Sequence, residues 1–282
     1  MANEIRIVTD SGCDLDAEVL EEYQIEVVPL TVLFGTQAYA DGDLSREEFW
    51  QKMAGPEQAG TSQPPLGAFE EVFQRLVDQG KQVLYVGLTS KHSGTLSTAQ
   101  LAARRFGSAV QVFDSLSLSL GQGMQALAAA QAARAGGSMG EILAALEGLR
   151  DRMSLQIVLD TLENLRKGGR ADAFISVAER MTRALNIKVI VNVVEGQLRL
   201  MSAARSFKRA LGRVLDSAER LGPLGYLAVI HSRAAELAEE VADELARRTG
   251  YAREQISVCE TGVVLSVHAG PGVIGVLAIP ES

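Results

Sequence analysis

The chain has few cysteines and no long apolar run. Only Cys13 and Cys259 occur among 282 residues, which excludes a disulfide scaffold and leaves too few ligands for a cysteine-based zinc site. No apolar run reaches the roughly 18 residues needed to cross a bilayer. The N-terminal residues lack a basic flank and a signal-like apolar core, so we expect a cytoplasmic location and no stable membrane insertion.

Basic residues are also fewer than acidic ones. Lysine and arginine total 27 against 35 aspartates and glutamates, so the formal net charge is −8. An acidic total argues against an extended nucleic-acid surface, although it leaves room for a small basic patch. We therefore expect no nucleic-acid partner.

Several motifs of catalysis are missing from the sequence. It contains no phosphate-binding loop ending in Gly-Lys-Ser/Thr. The Gly-x-Ser-x-Gly spacing at 136–140 lies between two predicted helices, and the Gly-x-Gly-x-x-Gly spacing at 270–275 leads into a predicted strand. Neither lies between a strand and a helix, where the nucleophile elbow and the dinucleotide fingerprint act, so neither a serine hydrolase nor a bound nucleotide is indicated. Histidine and glutamate pairs with metal-ligand spacing are absent too. Asp10 ends the first predicted strand as a phosphorylated aspartate might, but Gly12 stands where a second magnesium-binding acid is needed. We expect no catalytic residue, no metal and no cofactor.

The first half alternates short β-branched runs with helical patterns. The predicted strands cover residues 5–8, 25–28, 83–88 and 110–113. A capping box of Ser45 and Glu48 opens one of the intervening helices. This alternation predicts an α/β fold with an N-terminal doubly wound, mostly parallel sheet over residues 1–152.

The pattern changes near Met153. Strands over 188–194 and 198–203, joined by Glu195-Gly196-Gln197, predict a β-hairpin. Amphipathic helices surround a further strand at 226–230, and strands at 256–258 and 273–279 follow. We predict a C-terminal mixed α/β domain over residues 153–282.

Two hydroxyl clusters each precede a predicted helix. Thr61 and Ser62 come before a helix that opens at Pro64 and Pro65, and Ser93-Gly94-Thr95 follows a buried strand. A helix start offers unpaired N–H groups and the positive end of the helix dipole, which can hold an anion without a nearby cation. The hydroxyls could equally serve only as local helix caps.

Two charged side chains could assist such an anion site. His268 precedes a Gly-Pro turn and could donate to an anion, although a loop histidine at that position could simply be solvated. Arg170 follows Gly168-Gly169 and could clamp a phosphate or carboxylate. It could also be a surface charge after a glycine helix cap.

A collinear set of motifs resembles the DegV family over essentially the whole chain. These motifs are Val8-Thr9-Asp10-Ser11, Asp14-Leu15, Val27-Val28-Pro29-Leu30, Tyr39-Ala40-Asp41, Thr61-Ser62-Gln63-Pro64, Ser93-Gly94-Thr95, Asp114-Ser115, Leu165-Arg166-Lys167-Gly168-Gly169-Arg170, Ile187-Lys188, Glu195-Gly196 and His268-Ala269-Gly270-Pro271-Gly272. Each is weak alone, and their shared order makes the resemblance specific.

The resemblance implies a role in binding a long-chain fatty acid between the two domains. A separate ATP-binding fatty acid kinase subunit would phosphorylate the bound carboxylate to an acyl phosphate. The positions that match the family imply that Thr61, Ser62, Ser93 and Gly94 hold the carboxylate, with His268 completing the polar end. Arg170 and Arg205 would face the partner and the new phosphate.

Two alternatives stay open at the level of sequence. A free-standing enzyme could act on a phosphorylated or carboxylated metabolite through Asp10, Ser93, Arg170 and His268. A regulatory lipid sensor would bind the same ligand and report it to a partner other than a kinase.

Overall fold

The structure is a computed structural model that describes residues 4–161, 163–167 and 187–281. Its contacts divide the chain into two compact units. The first comprises residues 1–151 and 262–264, and the second comprises residues 152–261 and 265–282.

The first unit is built on a parallel four-stranded sheet. Its elements are β1 Ile5–Asp10, α1 Ala17–Glu22, β2 Glu26–Val28, β3 Thr31–Phe34, β4 Gln37–Ala40, α2 Arg46–Met53, β5 Ala59–Ser62, α3 Leu66–Asp78, β6 Gln82–Gly87, α4 Thr95–Ala103, β7 Val110–Asp114, α5 Leu120–Arg134 and α6 Met139–Arg152. The strand order is β2-β1-β6-β7, and every neighbouring pair is parallel.

Both faces of this sheet are covered by helices. Side chains alternate along a strand, so Val83 and Tyr85 of β6 pack with α3 and α4, whereas Leu84 and Val86 pack with α5 and α6. Helices on both faces of a parallel sheet make a doubly wound arrangement. The fold-class prediction is confirmed for this part of the chain.

A small antiparallel sheet of order β4-β3-β5 accompanies the parallel one. Strand β3 pairs with both neighbours, and its Thr31 and Val32 stand opposite Ser62 and Thr61 of β5. This sheet is not among the elements predicted from the sequence.

The second unit is built on a mixed six-stranded sheet. Its elements are β8 Ser154–Leu159, α7 Glu163–Lys167, β9 Lys188–Val194, β10 Gln197–Ala204, α8 Phe207–Glu219, β11 Leu224–Ser232, α9 Ala235–Thr249, β12 Ser257–Glu260, α10 Val263–Ala269 and β13 Val273–Pro280. The first two residues of α10 are counted with the first unit. The order is β10-β9-β8-β13-β11-β12. Strands β11 and β12 run parallel and the other neighbours antiparallel.

The core of this unit lies between the sheet and helices α8 and α9. The predicted hairpin is present as β9 and β10, and Glu195 and Gly196 in its turn have φ of 51° and 78°. The mixed α/β architecture predicted for the second half is confirmed. In the part of the chain described, none of the helices has the length and apolar character that a membrane span requires.

Candidate functional site

Asp10 lies where the carboxyl ends of β1 and β6 meet, and it is fully buried. Its Oδ2 accepts hydrogen bonds from the Leu88 N–H (3.0 Å) and the Tyr85 hydroxyl (2.6 Å). Its Oδ1 accepts from the Gly12 N–H (3.0 Å). Burial raises the pKa of the Asp10 carboxyl, and these donors act against that rise. Both oxygens are therefore engaged in organising this end of the sheet.

Ser93 and Gly94 lie in the loop that leads from β6 into α4. The Ser93 Oγ accepts a hydrogen bond from the Thr95 N–H (3.2 Å) and lies 2.8 Å from the Thr95 hydroxyl. Helix α4 begins at Thr95 with Gly94 as its N-cap, so the predicted helix start is confirmed here. The first-turn residues Thr95, Leu96 and Ser97 are neutral, which leaves the positive end of the helix dipole without a countercharge from its own turn.

The helix predicted to open at Pro64 and Pro65 is present as α3, but Thr61 and Ser62 do not lie at its start, and that part of the prediction is wrong. They are the last residues of strand β5, and helix α3 begins only at Leu66, with Pro65 as its N-cap. Pairing with β3 extends the chain through these positions, so their hydroxyls project from a strand. Thr61 is half-buried and Ser62 is exposed.

The Gln63 side chain, which follows Ser62 in the chain, packs against Gly94 of the second hydroxyl cluster. An ideal Cβ placed on Gly94 would lie 2.5 Å from the Gln63 Oε1 and 3.1 Å from its Cδ. Contacts that short do not occur for real Cβ atoms, so a larger residue at position 94 would make the flexible Gln63 side chain move from this position. No role for Gln63 could be predicted from the sequence, because side-chain contact between distant loops leaves no local pattern.

The remaining predicted residues lie in the second half of the chain. His268 is in the last turn of helix α10, where the sequence analysis placed it in a loop. The Gly270 N–H, which donates to the Ser266 carbonyl at 2.8 Å, continues the helical pattern past it. Arg205 is exposed between β10 and α8, and Arg170 lies outside the described residues.

Other features of the described residues do not coincide with this site. They contain no cluster of three or more side chains suited to holding a metal ion. A surface cleft of ≈ 480 Å³, lined in part by Leu20 and Ile25, lies beside Arg6 at the amino end of β1. The hydroxyl clusters belong to the opposite, carboxyl end of the sheet, where ligands bind in open α/β sheets.

Comparison with known proteins gives concordant matches over the full length. A family model described as that of uncharacterised proteins of the DegV family matches residues 4–281. A DegV domain-containing protein of Streptococcus pyogenes serotype M3 is 32% identical over 97% of this chain and 98% of its own length.

Two solved structures share the fold. A DegV family protein from Thermus thermophilus, described by its fatty acid binding, has 30% identity and a TM-score of 0.89, covering 99% of this chain and 100% of its own. A stearic acid-binding protein from Eubacterium ventriosum has 25% identity and a TM-score of 0.86, covering 98% of each chain. The match over nearly all of the sequence confirms the resemblance, and the chain belongs to the DegV family.

Proposed function

We propose that the protein binds a long-chain fatty acid and that Thr61, Ser62, Ser93 and Gly94 hold its carboxylate. The observation that carries this proposal is the packing of Gln63 against Gly94. Gln63 follows Ser62 directly, so this contact draws the hydroxyls of β5 toward the loop before α4. Similar proteins described as binding fatty acid, from Thermus thermophilus and Eubacterium ventriosum, give the ligand class.

Neutral donors suffice for such a ligand. A carboxylate is costly to bury unless hydrogen bonds replace its water, and hydroxyl and backbone N–H groups supply them. The start of α4 adds the positive end of the helix dipole, and no acidic side chain in its first turn offsets that charge. The Ser93 hydroxyl can rotate from Thr95 toward a ligand, since a hydroxyl serves as donor or acceptor.

The acyl chain supplies most of the binding free energy. Roughly 15 methylenes at about 0.8 kcal/mol each give on the order of 12 kcal/mol on burial. Lost translational and conformational freedom offsets a considerable part of this gain. The polar donors then set the orientation of the fatty acid and the position of its carboxylate.

We further propose that the bound carboxylate is the substrate of a separate ATP-binding kinase subunit. A carboxylate oxygen would attack the γ-phosphate of ATP, forming an acyl phosphate and releasing ADP. The only chemistry asked of this chain is to hold and orient the ligand, which agrees with the full engagement of Asp10 by its own fold. Arg205, exposed before α8, is proposed to face the partner and the new phosphate.

Replacing Ser93 tests the carboxylate site. Ser93→Ala removes one hydroxyl donor, so we expect fatty-acid affinity to fall about threefold to tenfold, the effect of one hydrogen bond to a charged group partly compensated by water. The measurement is displacement of a fluorescent fatty acid from delipidated protein. Ser97→Ala, at an exposed position in the same helix, is the matched control and should bind as the unmodified protein does. Unchanged affinity in Ser93→Ala would place the carboxylate elsewhere.

The kinase step has its own test. Protein loaded with fatty acid is incubated with ATP, alone or with a bacterial ATP-binding fatty acid kinase subunit, and acyl phosphate is trapped with hydroxylamine. We expect hydroxamate only in the mixture. Turnover by the chain alone would favour the free-standing enzyme, and no product with the added subunit would count against the carrier role. The roles predicted for His268 and Arg170 stay predictions.

A further inference from the structure

The second unit contains a run of basic side chains with no acidic one among them. Residues 196–215 include no aspartate or glutamate, but they include Arg199, Arg205, Lys208, Arg209 and Arg213, although the whole chain has a formal net charge of −8. These residues all belong to the second unit, on strand β10, on helix α8 and in the link between them. Each of the five side chains is exposed. Positive charge is thus concentrated on one part of an acidic molecule.

Four of these side chains surround the start of α8, and together they form what we call the basic face: Arg205, Lys208, Arg209 and Arg213. Arg205 directly precedes Ser206, the N-cap of the helix, and Lys208 and Arg209 follow in the first turn. Arg209 and Arg213 are four residues apart, so they are neighbours on one side of the helix. The Arg213 Nη1 donates to the Ala203 carbonyl of β10 at 2.6 Å, which holds this guanidinium beside the strand.

These charges are unfavourable for the fold itself. Lys208 and Arg209 lie at the positive end of the helix dipole, and the first turn contains no acid. Arg209 and Arg213 repel each other as like charges one turn apart. Within the part of the chain that the structure describes, no acidic side chain forms an ion pair with Arg205, Lys208 or Arg209. Cations that the fold leaves uncompensated, at positions where they cost stability, point to an anionic partner outside the chain.

The composition of the basic face favours a protein surface as that partner. Three of its four cations are arginines, whose planar guanidinium groups match carboxylates in a bidentate geometry. Arginine and methionine are enriched at protein interfaces, and the neighbouring strand β10 carries Met201, which is 43% exposed. Adsorption of α8 to a lipid surface would need apolar side chains projecting from the helix. Phe207, the large apolar residue of the first turn, packs against the core of the unit instead.

We propose that the basic face docks an acidic surface of a partner protein, and that this partner is the kinase subunit of the proposed function. The inference rests on that function, since it names the surface through which the two subunits meet. Complementary charge speeds the encounter of two proteins and fixes their orientation. The stability lost at the start of α8 is then explained by the docking that these cations support.

Charge reversal at the start of α8 separates docking from folding. Lys208→Glu and Arg209→Glu both relieve the conflict with the helix dipole, so a loss of association in these variants cannot be ascribed to unfolding. Arg220→Glu is the matched control, because Arg220 is the exposed C-cap residue of the same helix and its reversal changes the net charge equally. Isothermal titration calorimetry measures the dissociation constant between fatty-acid-loaded protein and a bacterial ATP-binding fatty acid kinase subunit, at low and at raised ionic strength.

Lys208→Glu and Arg209→Glu should each weaken association about threefold to tenfold at low ionic strength, and added salt should reduce the difference. Fatty-acid affinity and thermal unfolding should show both variants to be folded and loaded, and Arg220→Glu should associate as the unmodified protein does. Unchanged association in both variants, or a loss no larger than that of Arg220→Glu, would overturn the inference. Retained association together with lost binding to phosphatidylglycerol vesicles would assign the basic face to a lipid surface and would overturn it too.

Failure of the proposed function gives a different result. If the unmodified protein takes up fatty acid but does not associate with the kinase subunit at any ionic strength, the kinase step fails and this inference fails with it. If the unmodified protein associates and the charge-reversed variants associate equally well, the inference alone fails.

Discussion

Asp41 follows strand β4, and its carboxyl group is half-buried. Burial raises the pKa of this carboxyl, and the negative charge of Asp10 adds to the rise, while a hydrogen bond from Ser11 and the charge of Arg46 oppose it. A folded-state pKa above the unfolded value means that the native state binds a proton more tightly than the unfolded chain. The free energy of unfolding therefore falls as pH rises through that folded-state pKa.

We predict that Asp41→Asn becomes stabilising relative to the unmodified protein as pH rises from 4 to 7. Asparagine keeps an acceptor for Ser11 but carries no charge that burial would disfavour. At pH values below the unfolded pKa of about 3.9 the two proteins should differ little. Urea unfolding at several pH values measures this difference, and a difference that shrinks toward neutral pH would contradict the explanation.

Single residues also show how far the sequence could predict the candidate site. Ser93 and Gly94 were correctly predicted to precede a helix, because a buried strand followed by Ser-Gly-Thr is a local signal of a helix start. Thr61 and Ser62 were assigned to the wrong element because their strand forms only by pairing with β3. Gln63 acts through a contact between distant segments, which one sequence does not reveal.

Among the elements, helix α8 has charged side chains at both ends whose signs are unfavourable for its dipole. Lys208 and Arg209 lie in its first turn, while Asp216 and Glu219 lie near its end. Cations at a helix N-terminus and acids at its C-terminus are each unfavourable. At the C-terminal side an ion pair between Asp216 and Arg248, at 2.6 Å, offsets part of this effect.

Lys208→Glu should therefore stabilise the second unit, by about 0.5–1 kcal/mol, because it places a negative charge at the positive end of the helix. Lys208→Gln, which only removes the cation, should give about half of that gain. Urea unfolding at low ionic strength is the measurement, and added salt should reduce the effect. A less stable Lys208→Glu would show that the dipole argument fails here.

The turn between β9 and β10 offers a second prediction about elements. Gly196 has φ of +78°, so Gly196→Ala should destabilise the hairpin by about 1–2 kcal/mol. Gly148 lies exposed in helix α6 with open space around its Cα, and Gly148→Ala should stabilise the protein by about 0.5–1 kcal/mol. The two substitutions are compared by urea unfolding. Changes of the same sign in the free energy of unfolding would contradict the explanation from backbone conformation.

Most elements of the fold could be predicted, and the exceptions have a common cause. Buried strands and capped helices, such as the capping box at Ser45 and Glu48, follow from local patterns and are present. Strand β5, with the sequence Ala-Gly-Thr-Ser, has little intrinsic preference for a strand and depends on tertiary pairing. Helix α10 was missed for a similar reason, since the Asp14 carboxylate that accepts its first N–H comes from the other end of the chain.

For the whole molecule, the function that we propose is that of a carrier. The fold is that of the DegV family, and its buried carboxylate Asp10 is occupied by structural hydrogen bonds. Under the proposed function, the chain would bind a fatty acid by its acyl chain and orient the carboxylate with neutral donors, and the phosphoryl transfer would belong to the partner.

Binding of a long-chain fatty acid is tested by extracting the purified protein with organic solvent and analysing the extract by mass spectrometry. We predict a long-chain fatty acid in stoichiometric amount, and uptake of added fatty acid by delipidated protein. An extract without fatty acid, from a protein that after delipidation takes up none, would contradict it.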